Sequence, residues 1–397
     1  MNNTDQFFVD VMKNHLCGTK NVENDFSFNE ERFKELANIH RVVGICYSQI
    51  KDMEIEQKYL QYFEIGFYSE LNRFQKRNVV LQKLKKLFND NGIEHICIKG
   101  SYVADLYPVP ELRTMSDLDI LIKKESVELA HKILMDNGSK YIQKHSDEDV
   151  RMYRYLDVTL EIHSDLVSKD EEVNDVDFKA YFSDVFEHTV RLEDSTFILE
   201  EEYNLVYTMF HIAKHFYNSG CGIRMLMDLP VIIKNSSKIS WKNVWNELNK
   251  LKLEEFTVKI FMICEKWFGK FDISYPEKYR FSDIEIIEDF ILAGGVYGFH
   301  GRNVDAYQIK RKGKKKEGKY NYVAGMIRWA FPTYSEMRQF SNWYREKPAI
   351  LLPVAYIERF YRNVKERGGI VTLIKNIISG KKDISEKQMI LGIMNLK

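Results

Sequence analysis

The stretch ICIKGSYVADLYPVPELRTMSDLDILIKK, Ile96–Lys124, decides how the chain folds. It opens inside IEHICIKG, a short isoleucine-rich run closed by Gly100, which reads as a strand. A segment containing Pro108 and Pro110 follows, and SDLDILIKK then reads as a second strand. Alternation puts Leu118, Ile120 and Ile122 on one face of that strand and Asp117, Asp119 and Leu121 on the other. Two carboxylates on a strand that otherwise looks buried need a reason. They are solvated charges, members of an ion pair, or ligands for a metal ion. Alternation means that they need not be buried, because both belong to the polar face.

On the N-terminal side the pattern is helical. Ile55, Tyr59, Phe63, Phe67, Leu71 and Phe74 recur every three or four residues, and Gly92 is placed for a left-handed C-terminal cap. On the C-terminal side, SVELAHKILMDNG predicts a helix with Ser126 as N-cap and Gly138 as stop. YRYLDVTLEIHSDL predicts a strand in which Leu156, Val158, Leu160 and Ile162 alternate with Asp157, Thr159, Glu161 and His163. From Glu201 the chain is helical again. Asn204, Thr208, His211 and His215 form one polar stripe, and IRMLMDLPVII predicts a second helix interrupted at Pro230. GGVYGFHGRN reads as a turn-rich loop and KRKGKKKEGK as a charged loop. Two further amphipathic helices follow, separated by Pro332, Pro348 and Pro353.

Bulk composition narrows the function classes. The 397 residues are 45% apolar and 29% charged, which is globular. With 58 basic and 58 acidic residues there is no built-in attraction to nucleic acid or anionic membrane. Five scattered cysteines, none spaced as CxxC, fit free thiols in a reducing compartment. No apolar run approaches the length of a membrane helix, and the N-terminus has no signal-peptide pattern. The expected location is cytoplasmic. P-loop, GxSxG, Rossmann and kinase signatures are missing from the sequence.

Asp117 and Asp119 point the same way, about 7 Å apart. At that spacing they can share a divalent cation or each hold one. Mg²⁺ prefers carboxylate oxygens and keeps positions open for phosphate, which suits phosphoryl or nucleotidyl transfer. Glu161, on the polar face of another strand, is the natural third carboxylate. Gly100 and Ser101, just upstream, would let backbone and hydroxyl hold phosphate oxygens.

These residues carry a family resemblance. KGSYVADLY…R..SDLDILI followed by LEIHSDL resembles the nucleotidyltransferase superfamily that includes DNA polymerase beta and the aminoglycoside nucleotidyltransferases. More narrowly, it resembles an uncharacterised bacterial group of nucleotidyltransferase family proteins. HIAKHFYNSGCGIRMLMDLP, with His211, His215, Arg224 and Asp228, resembles the helical segment after the core in that group. The resemblance implies a Gly-Ser turn at Gly100–Ser101, an acidic pair at Asp117 and Asp119, and a third acid at Glu161. It implies Mg²⁺ or Mn²⁺ as cofactor and an NTP as substrate.

Other residues carry two readings each. Lys99 can reach a triphosphate or end a strand in solvent. Arg113 can neutralise phosphate or fix the loop to Asp117. His163 can orient a carboxylate or contact the nucleotide. His211 and His215 have i, i+4 spacing but no evident third zinc ligand, so they more naturally face the cleft. Arg224 and Asp228 can pair on one helix. Tyr356, Phe360 and Tyr361, interleaved with Arg359 and Arg362, suit either helix packing or a binding surface.

The expected fold is α+β: a small mixed nucleotidyltransferase sheet with covering helices, flanked by N-terminal and C-terminal helical regions. The expected divisions are 1–90, 91–198, 199–275 and 276–397. The expected activity moves an NMP from an NTP to a hydroxyl acceptor. Asp117, Asp119 and Glu161 are the catalytic and metal residues, and Gly100, Ser101, Lys99 and Arg113 bind the nucleotide. The acceptor is a small molecule or a protein in preference to a long nucleic acid. The alternatives are a protein AMP-transferring or toxin–antitoxin-type enzyme, and a catalytically silent nucleotide-binding or interaction module.

Overall fold

A computed structural model of the chain describes residues 1–19, 28–144, 149–168, 173–276, 283–296, 298, 322–341, 343–344, 347–366 and 385–396. The charged run Lys310–Lys319 and most of GGVYGFHGRN lie outside them. The chain divides into two compact units, Met1–Gly298 with Met394–Lys397, and Phe299–Ile393.

The first unit opens with helices α1 (Asn3–Cys17), α2 (Glu30–Ile39), α3 (Val43–Ile50) and α4 (Gln57–Asp90). Asn2 and Asn29 cap α1 and α2 by accepting from the N–H groups of Asp5 and Arg32. The long α4 ends as expected, with Gly92 in the left-handed region at φ 65°. Its buried face is Tyr59, Phe63, Glu70, Arg77, Val80, Leu84 and Phe88. An ion pair therefore sits in the middle of an apolar stripe.

The sheet has seven strands: β1 (His95–Cys97), β2 (Asp117–Ile122), β3 (Lys140–Lys144), β4 (Val150–Tyr155), β5 (Val158–His163), β6 (Thr189–Glu193) and β7 (Thr196–Leu199). Their order is β3-β4-β5-β2-β1-β7-β6. The β2–β5 and β1–β7 pairs are parallel and the rest antiparallel. This is the mixed sheet of an α+β fold, as the sequence predicts. Leu118, Ile120 and Ile122 pack with Val80, Leu84 and Phe88 of α4 and with Ala130, Ile133 and Leu134 of α6 (Val127–Asp136). Between the strands lie the one-turn helices α5 (Gly100–Val103) and α7 (Phe178–Tyr181). After β7 come α8 (Glu201–Asn218), α9 (Ile223–Asn235), α10 (Trp241–Lys250), α11 (Glu254–Phe268) and α12 (Ile284–Gly294).

Three local expectations change. YRYLDVTLEIHSDL is not one strand but a hairpin. Leu156 and Asp157, at φ 46° and 65°, form a two-residue turn between β4 and β5. Residues at both positions of such a turn take positive φ, usually Asn or Gly, so Leu-Asp hides it. The buried positions betray the turn by changing phase, from Tyr153 and Tyr155 to Val158, Leu160 and Ile162. Ser126 makes no side-chain cap, because a 3-10 turn at Lys124–Ser126 leads into α6.

Pro230 lies inside α9 without ending it. A helical proline frees the carbonyl four residues back. That carbonyl, Leu226 O, is instead met by the Cys264 thiol of α11 at 3.7 Å.

In the second unit, helix Leu352–Glu366 carries Arg359, which is buried. Arg359 donates to Trp329 O at 2.8 Å and lies over the Trp329 and Phe340 rings. Tyr356 donates to Pro332 O, so these residues pack the helix, while Phe360 and Tyr361 are exposed. Among the described residues, no helix is long and apolar enough to cross a membrane.

Candidate metal and nucleotide site

The site is built where β1 turns into α5. Lys99 makes the turn at φ 52° and ψ −130°, a conformation that costs a side-chain-bearing residue about 1–3 kcal/mol. Its carbonyl accepts from the N–H groups of Tyr102 and Val103, which starts α5. Its ammonium donates to Asp119 Oδ1 at 2.7 Å. Ser101 Oγ accepts the Asp119 N–H at 2.9 Å, and Ile98 N–H donates to Asp119 O at 3.2 Å. Asp119 is thus fixed at backbone and side chain, and it is buried at 5% exposure. That corrects the expectation of a merely polar strand face.

The parallel register sets Asp119 directly opposite Glu161 and Asp117 opposite Thr159. His163, two residues beyond Glu161, completes the cluster. Its Nε2 lies 3.0 Å from Asp119 Oδ1 and 3.6 Å from Glu161 Oε2. Facing a carboxylate at hydrogen-bond distance, Nε2 is the donor, so His163 orients Asp119. One ligand atom from each of Asp119, Glu161 and His163 lies within 4.8 Å of the other two.

The electrostatics suit a cation. Burial pushes the Asp117 carboxyl up to about 6, and the charges of Asp119 and Glu161 add to that push. Burial also acts to raise Asp119, but Lys99 and His163 outweigh it and hold its carboxyl well below the usual range. Lys99 therefore prevails at Asp119, while at Asp117 burial and the neighbouring carboxylates outweigh it. A divalent ion relieves such repulsion, and carboxylate oxygens are donors that Mg²⁺ and Mn²⁺ both accept.

Asp117 gives a pH prediction with a definite sign. A carboxyl whose folded pKa is raised holds its proton longer in the fold than in the unfolded chain. Its ionisation therefore destabilises the fold as pH rises from about 3.8 to about 6. A shift of two units corresponds to about 3 kcal/mol. In EDTA, Asp117→Asn is expected to raise the melting temperature at pH 8 and to change it little at pH 3.5. Equal effects at both pH values would contradict the assignment.

The other predicted residues divide into two groups. His211 and His215 stack edge to face on α8, with ring centroids 4.5 Å apart. Burial lowers both, His211 well below its ordinary value and His215 to about 4, so both are neutral at pH 7. The field of Lys99 reaches both and that of His163 reaches His211, which sets this face of α8 beside the cluster.

Arg113, Arg224 and Asp228 belong to the support. Arg113 is buried and grips Asp228 of α9 with two nitrogens, at 3.1 and 2.7 Å. Tyr107 donates to the same carboxylate at 2.7 Å. Arg224 donates to Thr114 O at 2.8 Å. These contacts tie the segment between Gly100 and Asp117 to α9. Gly100 is required here for space: a Cβ would stand 2.7 Å from Arg113 Nη1 and 3.3 Å from Met115 Cε.

Sequence reasoning missed Tyr107 and the Ser101 link to the Asp119 backbone. The tyrosine lies beside Pro108 in a segment with no period, so only the fold reveals its partner.

A protein family described as an uncharacterised nucleotidyltransferase matches residues 27–269, well over half of the chain. The chain belongs to this family. The match spans every strand of the sheet and helices α2 through α11. No curated protein and no solved structure matches the chain. Membership of the nucleotidyltransferase family accords with a nucleotidyl-transfer role, an NTP substrate and a divalent metal.

Proposed function

We propose that the chain is an enzyme that transfers a nucleoside monophosphate from an NTP to an acceptor hydroxyl. The acceptor oxygen bonds to the α-phosphorus and the α–β bridging bond breaks. Pyrophosphate leaves with the bond's electron pair, and the hydroxyl proton passes to a carboxylate. The observation that carries this reading is the cross-strand register of Asp119 and Glu161, with His163 and Lys99 on the same carboxylate.

Asp119, Glu161 and Asp117 are the residues that would hold Mg²⁺ or Mn²⁺. When bound, the metal neutralises phosphate charge and lowers the pKa of the attacking hydroxyl. Glu161 accepts the proton. Lys99 draws the triphosphate toward the cluster, and His163 keeps the Asp119 carboxylate turned to its working position. Gly100 and Ser101 bring the backbone of α5 close to the β- and γ-phosphates. Arg113, already matched by Asp228, acts through the placement of Gly100 and leaves the phosphate charge to Lys99.

The direct test incubates the protein with each labelled NTP, Mg²⁺ or Mn²⁺, and a cell lysate separated into protein, RNA and small-molecule fractions. Label is expected in one fraction, with pyrophosphate released. No transfer together with no metal-dependent NTP binding would leave a silent binding module.

A further inference from the structure

Beside the start of β2 and β5 the first unit holds a cavity of about 590 Å³. Its walls come from α3 and α4, from Thr114, Met115 and Ser116, and from Asp157 and Val158 of the hairpin. Arg41, Arg73, Lys76 and Arg77 line it, against only two acids, Glu70 and Asp157. Glu70 is shared. It accepts from Arg73 at 3.0 Å and from Arg77 at 3.1 Å, so one carboxylate serves two guanidinium groups.

Arg77 is 6% exposed and donates to Met115 O at 2.9 Å, yet its Nε has no hydrogen-bond partner among the described residues. The cavity wall thus carries more cationic than anionic side chains. It is also firmly shaped: a Cβ at Gly66 would overlap Val43, so α3 and α4 meet with no room to spare.

We propose that this cavity is a further binding site, and that it takes a small molecule bearing a phosphate group. The volume suits a small ligand. Planar guanidinium forks match phosphate oxygens. The wall residue Val158 shares the core face of the sheet with Leu118 and α4, whereas Asp119 and Glu161 belong to the other face, so this cavity is distinct from the carboxylate cluster. The phosphate binding does not rest on the nucleotidyl-transfer reading.

Equilibrium dialysis of radiolabelled inorganic phosphate against the full chain in EDTA tests the binding. Saturable uptake of one phosphate per chain is expected, with acetate a poor competitor. The Arg73→Gln/Lys76→Gln variant changes exposed side chains, so it should fold, and it is expected to weaken uptake at least tenfold. No saturable uptake, or uptake unchanged in the variant, overturns the site. In metal-dependent NTP turnover the same variant should leave the KM for NTP within twofold. A tenfold rise would make the cavity part of the nucleotide site and overturn its assignment as a further site. Failure of the lysate assay alone would leave the dialysis result standing, so the two readings fail separately.

Discussion

Asp119→Asn is expected to abolish nucleotidyl transfer, by a factor of about 10³ or more, the scale of losing a central electrostatic group in a catalytic site. One Asp119 oxygen holds Lys99 and His163 together, and its partner across the ladder is Glu161. The amide keeps the shape but removes the charge, so the cluster loses its most strongly ionised carboxylate. The ammonium of Lys99 then faces an uncharged partner, and breaking a buried pair in this way costs about 3–5 kcal/mol. Lys99 remains partly reachable by water, which places the cost at the lower end.

Lys99→Met on the Asp119→Asn background separates the two effects: stability should recover and activity should not. Wild-type transfer rates in Asp119→Asn would remove this residue from the chemistry. The pH sign differs from that of Asp117. The Asp119 carboxyl is depressed in the fold, so its stabilising contribution is present above the unfolded pKa and is lost as pH falls through the folded one. The loss therefore belongs to strongly acidic solution.

Asp228→Ala is expected to cost about 3–5 kcal/mol, because it leaves the buried Arg113 guanidinium without its counter-charge. The Tyr107 hydroxyl loses its acceptor as well. The consequence reaches the site because Arg113 Nη1 occupies the space beside Gly100. An unpaired arginine there shifts, and with it the start of α5. Transfer activity should fall although no residue of the acidic cluster has changed. Arg113→Met combined with Asp228→Leu should restore much of the melting temperature, since apolar groups of similar volume replace a buried pair with little loss. A melting curve for Asp228→Ala that overlays the wild type would disprove this account.

The sequence makes the acidic pair legible because alternation is a local property. Asp117 and Asp119 had to share a face, and Leu118, Ile120 and Ile122 had to form the other. The third carboxylate was legible for the same reason on β5. Burial of Asp119 was not, because it depends on Lys99 folding back over the strand and on the α8 face next to it. The hairpin was obscured by the Leu-Asp turn, and Pro230 misled because its compensating thiol lies on another helix. Arg224 and Asp228 showed their helical spacing, but their partners, Thr114 and Arg113, come from more than a hundred residues away. Glu70 and Arg77 went unread, because the apolar period over Ile55–Phe74 follows Phe67, Leu71 and Phe74, whereas the buried face of α4 takes in both charges, which line the cationic cavity.

The parallel pairing of β2 with β5 has a further consequence. Parallel neighbours cannot be joined by a tight turn, and here the link runs through α6, β3 and β4. Asp119 and Glu161 consequently meet only when that whole excursion has docked, and no fragment ending before β5 contains the pair. On the proposed metal-binding reading, ion concentration becomes a thermodynamic handle on the sheet itself. A cation that recognises only the finished ladder adds about 2.7 kcal/mol at a hundredfold excess over its dissociation constant. A chelator takes that increment away.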